Sequence, residues 1–65
     1  MNWYSLYVDG QERATDVTLN ATLVKAGRFI DARRDLRITY GTARQTIRAW
    51  RYDYDKHDWL AEDEG

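Results

Sequence analysis

The 65-residue chain contains no cysteine, which removes both a disulfide frame and any thiolate metal site and leaves stability to packing alone. Its four glycines are scattered, at 10, 27, 41 and 65, whereas a phosphate-cradling loop needs them clustered. His57 and Ser5 are the only residues of their types and fall in different expected elements, and a Ser-His-carboxylate triad would lack its glycine elbow and oxyanion loop. No apolar run approaches the roughly 20 residues of a membrane span, and the opening MNWYSLYVDG lacks the basic start and apolar stretch of a secretory signal. Asp53 and Glu64 are spaced like the outer ligands of a calcium-binding loop, but His57 and Asp58 occupy positions where an oxygen ligand and a glycine belong. These absences lead to the expectation of a cytoplasmic, non-enzymatic protein with no cofactor, no metal and no membrane contact.

What is present is aromatic. Three Trp, five Tyr and one Phe supply large buried areas per residue, which a single domain spanning 1–65 needs at this size. Charge is sorted along the chain. Residues 1–24 carry a net −2, residues 25–51 a net +6 with Lys25 and seven arginines, and residues 52–65 a net −5. Such blocks either neutralise one another across the fold or persist as opposed surfaces.

The clearest local signal is Thr18 to Arg34, where Leu19, Leu23, Ala26 and Ile30 recur at helical spacing and form one apolar stripe. Thr18 suits an N-cap, and Asp16 before it favours the positive end of the helix. Gly27, on the edge of the stripe, suggests either a close approach to a sheet or an early C-cap. Residues 3–8, WYSLYV, have strand composition, with Tyr4, Leu6 and Val8 on the expected core face. Asp9-Gly10 suits a type I′ turn, so residues 11–15 return as a polar edge strand. Leu36, Ile38 and Tyr40 alternate with polar residues, and residues 45–53 mix β-branched and aromatic residues at period two. In the latter, either the Ile47 and Ala49 side or the Trp50 and Tyr52 side can face inward. Asp53 to Asp58 is dense in turn formers, residues 59–61 form a short final strand, and the acidic end 61–65 is expected to fray. The resulting class is α+β, a small antiparallel sheet of order ββαβββ along the chain with one helix packed on one face.

A second organisation competes over Leu36 to Trp50. The run LRITYGTARQTIRAW resembles the helix-turn-helix of GntR-type regulators through Leu36, Tyr40, Gly41, Ala43, Arg44, Thr46, Ile47 and Arg48, and Thr42 to Gln45 would form a capping box. The resemblance implies a small DNA-binding transcriptional regulator whose contacts come from Arg44, Gln45, Thr46 and Arg48. The two readings separate at Ile38, which is a core residue of a strand but lies on the solvent side of a first helix.

Candidate binding residues follow from the sheet reading. A face left uncovered by a single helix carries Trp3, Tyr7, Arg37 and Thr39, together with Arg48, Trp50 and Tyr52 if the strand 45–53 turns that way; interleaved aromatic and arginine side chains are the residues most enriched at binding hot spots. Asp53, Asp55 and Asp58 offer carboxylates that imitate a row of phosphates. In size, architecture and charge pattern the chain is similar to small phage-encoded host-takeover proteins, including anti-CRISPR proteins and polymerase inhibitors. That similarity implies a stoichiometric inhibitor, monomer or homodimer, that binds a larger protein or nucleoprotein complex in the host cytoplasm and does no chemistry.

Overall fold

In the computed structural model, which describes residues 1–62, the type I′ signal at Asp9-Gly10 is realised: both residues have positive φ, 53° and 86°. The turn joins β1 (Trp3–Val8) to β2 (Gln11–Asp16). The chain then forms α1 (Leu19–Asp31), β3 (Leu36–Gly41), β4 (Thr46–Asp53) and β5 (Asp58–Ala61). The strands make one antiparallel sheet in the order β2-β1-β3-β4-β5. The architecture is the α+β, ββαβββ arrangement.

Thr18 caps α1, its side chain accepting from the Ala21 amide at 3.2 Å, and Asp16 accepts from the amides of Val17 and Thr18 just ahead of it. The helix ends at Asp31, short of Arg34, because Arg33 adopts left-handed backbone (φ 56°). The Arg33 amide donates to the Ile30 carbonyl and the Arg34 amide to the Phe29 carbonyl, the paired bonds of a Schellman closure with arginine where glycine is usual. Gly27 therefore sits inside the helix, and nothing approaches within 4 Å of where a Cβ would stand. Neither expected role for Gly27, close packing or C-cap, is the one it has.

The core lies between α1 and β1 and β3. Leu6, Val8, Ala26, Leu36 and Ile38 are buried, with Tyr4, Leu19, Leu23 and Ile30, and also Trp50, Tyr52 and Trp59 of β4 and β5, packed against them. Leu6 stands opposite Ile38, and Val8 opposite Leu36, so one stripe of the helix covers one face of two neighbouring strands. Thr22 also lies in that stripe, fully buried; its hydroxyl donates to the Thr18 carbonyl at 2.9 Å, which is why a polar residue is tolerated there.

The helix-turn-helix implied for residues 36–50 is not formed, since these residues are β3, a turn and the first part of β4. Ile38 is fully buried, the outcome that separates the two readings. The Thr42 hydroxyl does accept from the Gln45 amide (3.2 Å), as a capping box requires, but it does so inside a hairpin turn that also pairs the Thr42 amide with the Gln45 carbonyl. Arg44 and Gln45 lie in that turn, Thr46 begins β4 and Arg48 follows on it, so no recognition helix presents them. Of the end expected to fray, Ala61 is the last residue of β5, and the Glu62 amide donates to the Ala49 carbonyl. Residues 63–65 lie outside the described residues.

Candidate functional site

Alternation along β4 is resolved by its register. Ile38, on the helix side of β3, pairs with Trp50, and Tyr40 pairs with Arg48. Arg48, Trp50 and Tyr52 therefore share the helix-bearing face, while Trp3, Tyr7, Arg37 and Thr39 lie on the opposite one. The residues expected to make one binding surface are divided between two.

The helix-free face has a floor of small side chains. Ser5 stands beside Thr15 on one side and Thr39 on the other, and Thr39 beside Ala49; Ser5, Thr39 and Ala49 are buried although no element crosses them. Trp3, Tyr7, Glu12 and the turn residues Thr42 and Ala43 wall a depression of about 480 Å³ over this row. Arg37 is taken up by an ion pair, its Nε donating to both Glu62 oxygens at 3.0 and 2.9 Å. The hydrogen bond holds the Glu62 carboxyl below the usual carboxylate range and raises the Arg37 guanidinium further.

On the helix-bearing face, α1 packs against β1, β2 and β3, and the two remaining strands carry rings. Trp59 pairs with Tyr52 and Ala61 with Trp50. Tyr52 meets Tyr54 and Trp59 edge-on at 4.8 and 5.3 Å between centroids, and Tyr4 links Tyr40 and Trp50. The Arg48 guanidinium lies over the Trp50 ring at 5.5 Å, a cation held by the π face of indole. Between the flank of α1 and these rings is a notch of about 190 Å³ lined by Leu19, Leu23, Ile38, Trp50, Asp58 and Trp59. Leu19, Leu23, Trp50 and Trp59 are half-buried.

The acidic residues crowd the β4–β5 hairpin. Asp53 and Asp58 are its last cross-strand pair. Asp53 accepts from the amides of Asp55 and Lys56, and Asp58 from that of Trp59, so both carboxylates shape the turn, while Asp55 is exposed. His57 closes this turn with left-handed backbone (φ 53°) and is exposed. It is separated from Ser5, on β1, by the width of β3 and β4. Among the described residues no three His, Asp or Glu side chains come together as a metal site; Glu64 lies outside them. Among them, too, no helix is long and apolar enough to cross a membrane.

The charge blocks meet in part. Lys25 pairs with Asp16, Arg34 with Asp9 and Arg37 with Glu62, each joining the basic block to an acidic one, and Arg51 pairs with Asp35 within it. Arg13 and Arg28 instead share the Phe29 ring, and Arg33 stacks on Tyr54.

Sequence reasoning missed Trp59 and Tyr54 as members of the aromatic surface, and Leu19 and Leu23 as the wall of a notch. The signal for Tyr54 was present, since it continues the alternation of Trp50 and Tyr52. Nothing in the sequence marks the two leucines, because their exposure depends on where the helix stops covering the sheet. No family model, curated protein or solved structure matches this chain.

Proposed function

We propose that this chain is a non-enzymatic protein-binding module, a stoichiometric inhibitor of the phage type that occupies a larger nucleic-acid machine in the host cytoplasm. The observation that carries the reading is the half-buried set Trp50, Tyr52 and Trp59, which packs against the edge of the core and keeps part of its surface outside, with Arg48 stacked at one side, on the two strands beyond those that α1 contacts. Tryptophan, tyrosine and arginine dominate binding energy at protein interfaces because they bury large areas and retain polar handles. The carboxylates of Asp53, Asp55 and Asp58 at the adjoining hairpin add a negative field that speeds encounter with a basic groove. Arg37, committed to Glu62, contributes less than its place among aromatic residues suggests.

Titration into assays of a bacterial RNA polymerase and of a CRISPR effector nuclease tests the reading. Inhibition of one of them should saturate at equimolar protein and be relieved by Arg48→Glu or Asp55→Lys, both at exposed positions, with the circular dichroism spectrum unchanged. Absence of inhibition in both assays, or loss of target activity that grows with time at substoichiometric protein, would overturn it.

A further inference from the structure

Asp-Gly is a pairing that a type I′ turn selects, and it is also the one in which an aspartate is chemically least secure. A succinimide forms when the backbone nitrogen of the following residue attacks the side-chain carboxyl carbon, and glycine leaves that nitrogen unshielded and its backbone free to swing. Of the aspartates in this chain Asp9 alone is followed by glycine, and neither Asn2 nor Asn20 is. Asp9 and Gly10 are both exposed, so water reaches the turn. The geometry around Asp9 works against the reaction. One carboxylate oxygen accepts from the Asp35 amide at 3.1 Å and the other from Arg34 Nε at 2.6 Å, with a second guanidinium nitrogen of Arg34 at that same oxygen. The Asp9 amide donates in turn to the Asp35 carbonyl at 2.8 Å. Side chain and backbone of Asp9 are thus tied to the segment that enters β3. The Arg34 hydrogen bond, ahead of the one from the Asp35 amide, holds the carboxyl below its ordinary value and so keeps it ionised, and an ionised carboxyl does not readily give up an oxygen.

We propose that Asp9-Gly10 is a latent isoaspartate site, and that Arg34 and the Asp35 amide keep it closed by holding both oxygens of the Asp9 carboxyl. When this clasp is released and the carboxyl is protonated, the Gly10 nitrogen forms a bond to Asp9 Cγ. The bond from Cγ to its hydroxyl breaks, and the hydroxyl leaves with the Gly10 amide proton as water. A second water then opens the ring. Addition at Cγ restores aspartate, whereas addition at the Asp9 backbone carbonyl gives isoaspartate, in which the main chain runs through Cβ and Cγ and the former backbone carbonyl becomes a free carboxylate. No oxidant, metal or enzyme is required. The product has one more carbon in the main chain of a tight turn, which displaces Gln11 from its place opposite Val8 and loosens the fastening between the first hairpin and the entry to β3.

Ageing the purified chain in solution tests the proposal. Wild type, Arg34→Gln and Lys25→Gln are incubated at one temperature and one mildly acidic pH, beside wild type unfolded in guanidinium chloride, and then digested with trypsin. Cleavage after Arg13 releases residues 1–13, in which Asp9 is the sole aspartate. A new peak of that peptide at unchanged mass is therefore isoaspartate at Asp9, whereas deamidation of Asn2 would raise the mass. Arg34→Gln removes the guanidinium and leaves the backbone bonds of residue 34 to Phe29 and Tyr54 in place. Lys25→Gln is the control, because it breaks the ion pair to Asp16 at the far end of the same hairpin. Arg34→Gln should accumulate isoaspartate at least about threefold faster than folded wild type, through local opening of the turn, and move toward the rate of the unfolded chain. Lys25→Gln should keep the wild-type rate. An unchanged rate in Arg34→Gln, or equal acceleration in both variants, would overturn the proposal. The comparison of folded with unfolded wild type needs no variant to fold, and equal rates there would overturn it as well.

Discussion

Asp9 and Asp35 exchange backbone and side-chain bonds across the fold: the Asp9 amide donates to the Asp35 carbonyl at 2.8 Å, and the Asp35 amide donates to the Asp9 carboxylate at 3.1 Å. Arg34 Nε adds a bond to the same carboxylate at 2.6 Å. The first hairpin turn is thereby fastened to the segment that leads out of the helix. Tyr54 secures the same segment from the other side, its hydroxyl donating to the Arg34 carbonyl. The joint fixes the path by which the chain leaves α1 and enters β3.

Stability should fall on the acid side. Hydrogen bonds from Arg34 hold the Asp9 carboxyl below its ordinary value of 3.8, those from Lys25 do the same for Asp16, and Arg37 holds Glu62 below 4.5. Groups with folded pKa values depressed in this way contribute fully above the unfolded values, and the contribution is lost as pH falls through the folded ones. The melting temperature should therefore be level near neutrality and decline below about pH 4.5. Burial raises the Tyr54 phenol above 10.0, so stability linked to it is complete below that pH and is lost as pH rises further. Asp9→Asn, which tolerates the left-handed turn, should flatten part of the acid decline. Thermal melts across pH would read both limbs.

Two glycines should respond in opposite directions to alanine. Gly27 has open space where a Cβ would stand and lies mid-helix, so Gly27→Ala should stabilise by up to about 1 kcal/mol. At Gly41 the backbone has φ 156° and a Cβ would overlap the Gln45 carbonyl across the turn. Gly41→Ala should cost about 2–3 kcal/mol, since a backbone atom has to move. Urea denaturation of the two variants provides the comparison.

The caps carry a third expectation. Thr18→Ala removes the acceptor for the Ala21 amide and should cost about 1 kcal/mol. His57→Gly relieves a left-handed residue in an exposed turn, and should gain about 0.5 kcal/mol after the added freedom of the unfolded chain is counted. Denaturation midpoints shifting in the reverse directions would contradict both assignments.

Local chemistry was legible where a few adjacent residues settle the matter. Asp9-Gly10 suits left-handed backbone at both positions, Thr18 carries an acceptor one turn from its amide, and Tyr4, Leu6 and Val8 alternate with one apolar face. The same locality misled at Thr42 to Gln45, because a hydroxyl accepting from an amide three residues on serves a helix cap and a hairpin turn equally well. Gly27 misled for a related reason: its position on the stripe edge says nothing of how near the sheet comes.

The sequence by itself determined the elements and the helix face that is buried, since periodicity, turn residues and caps act over a few residues. Only the tertiary structure decided which side of β4 faces the helix, which arginines are consumed in ion pairs, and that the expected binding residues fall on two faces. Those outcomes depend on strand register and on one helix being too narrow for five strands, and both are properties of distant segments meeting.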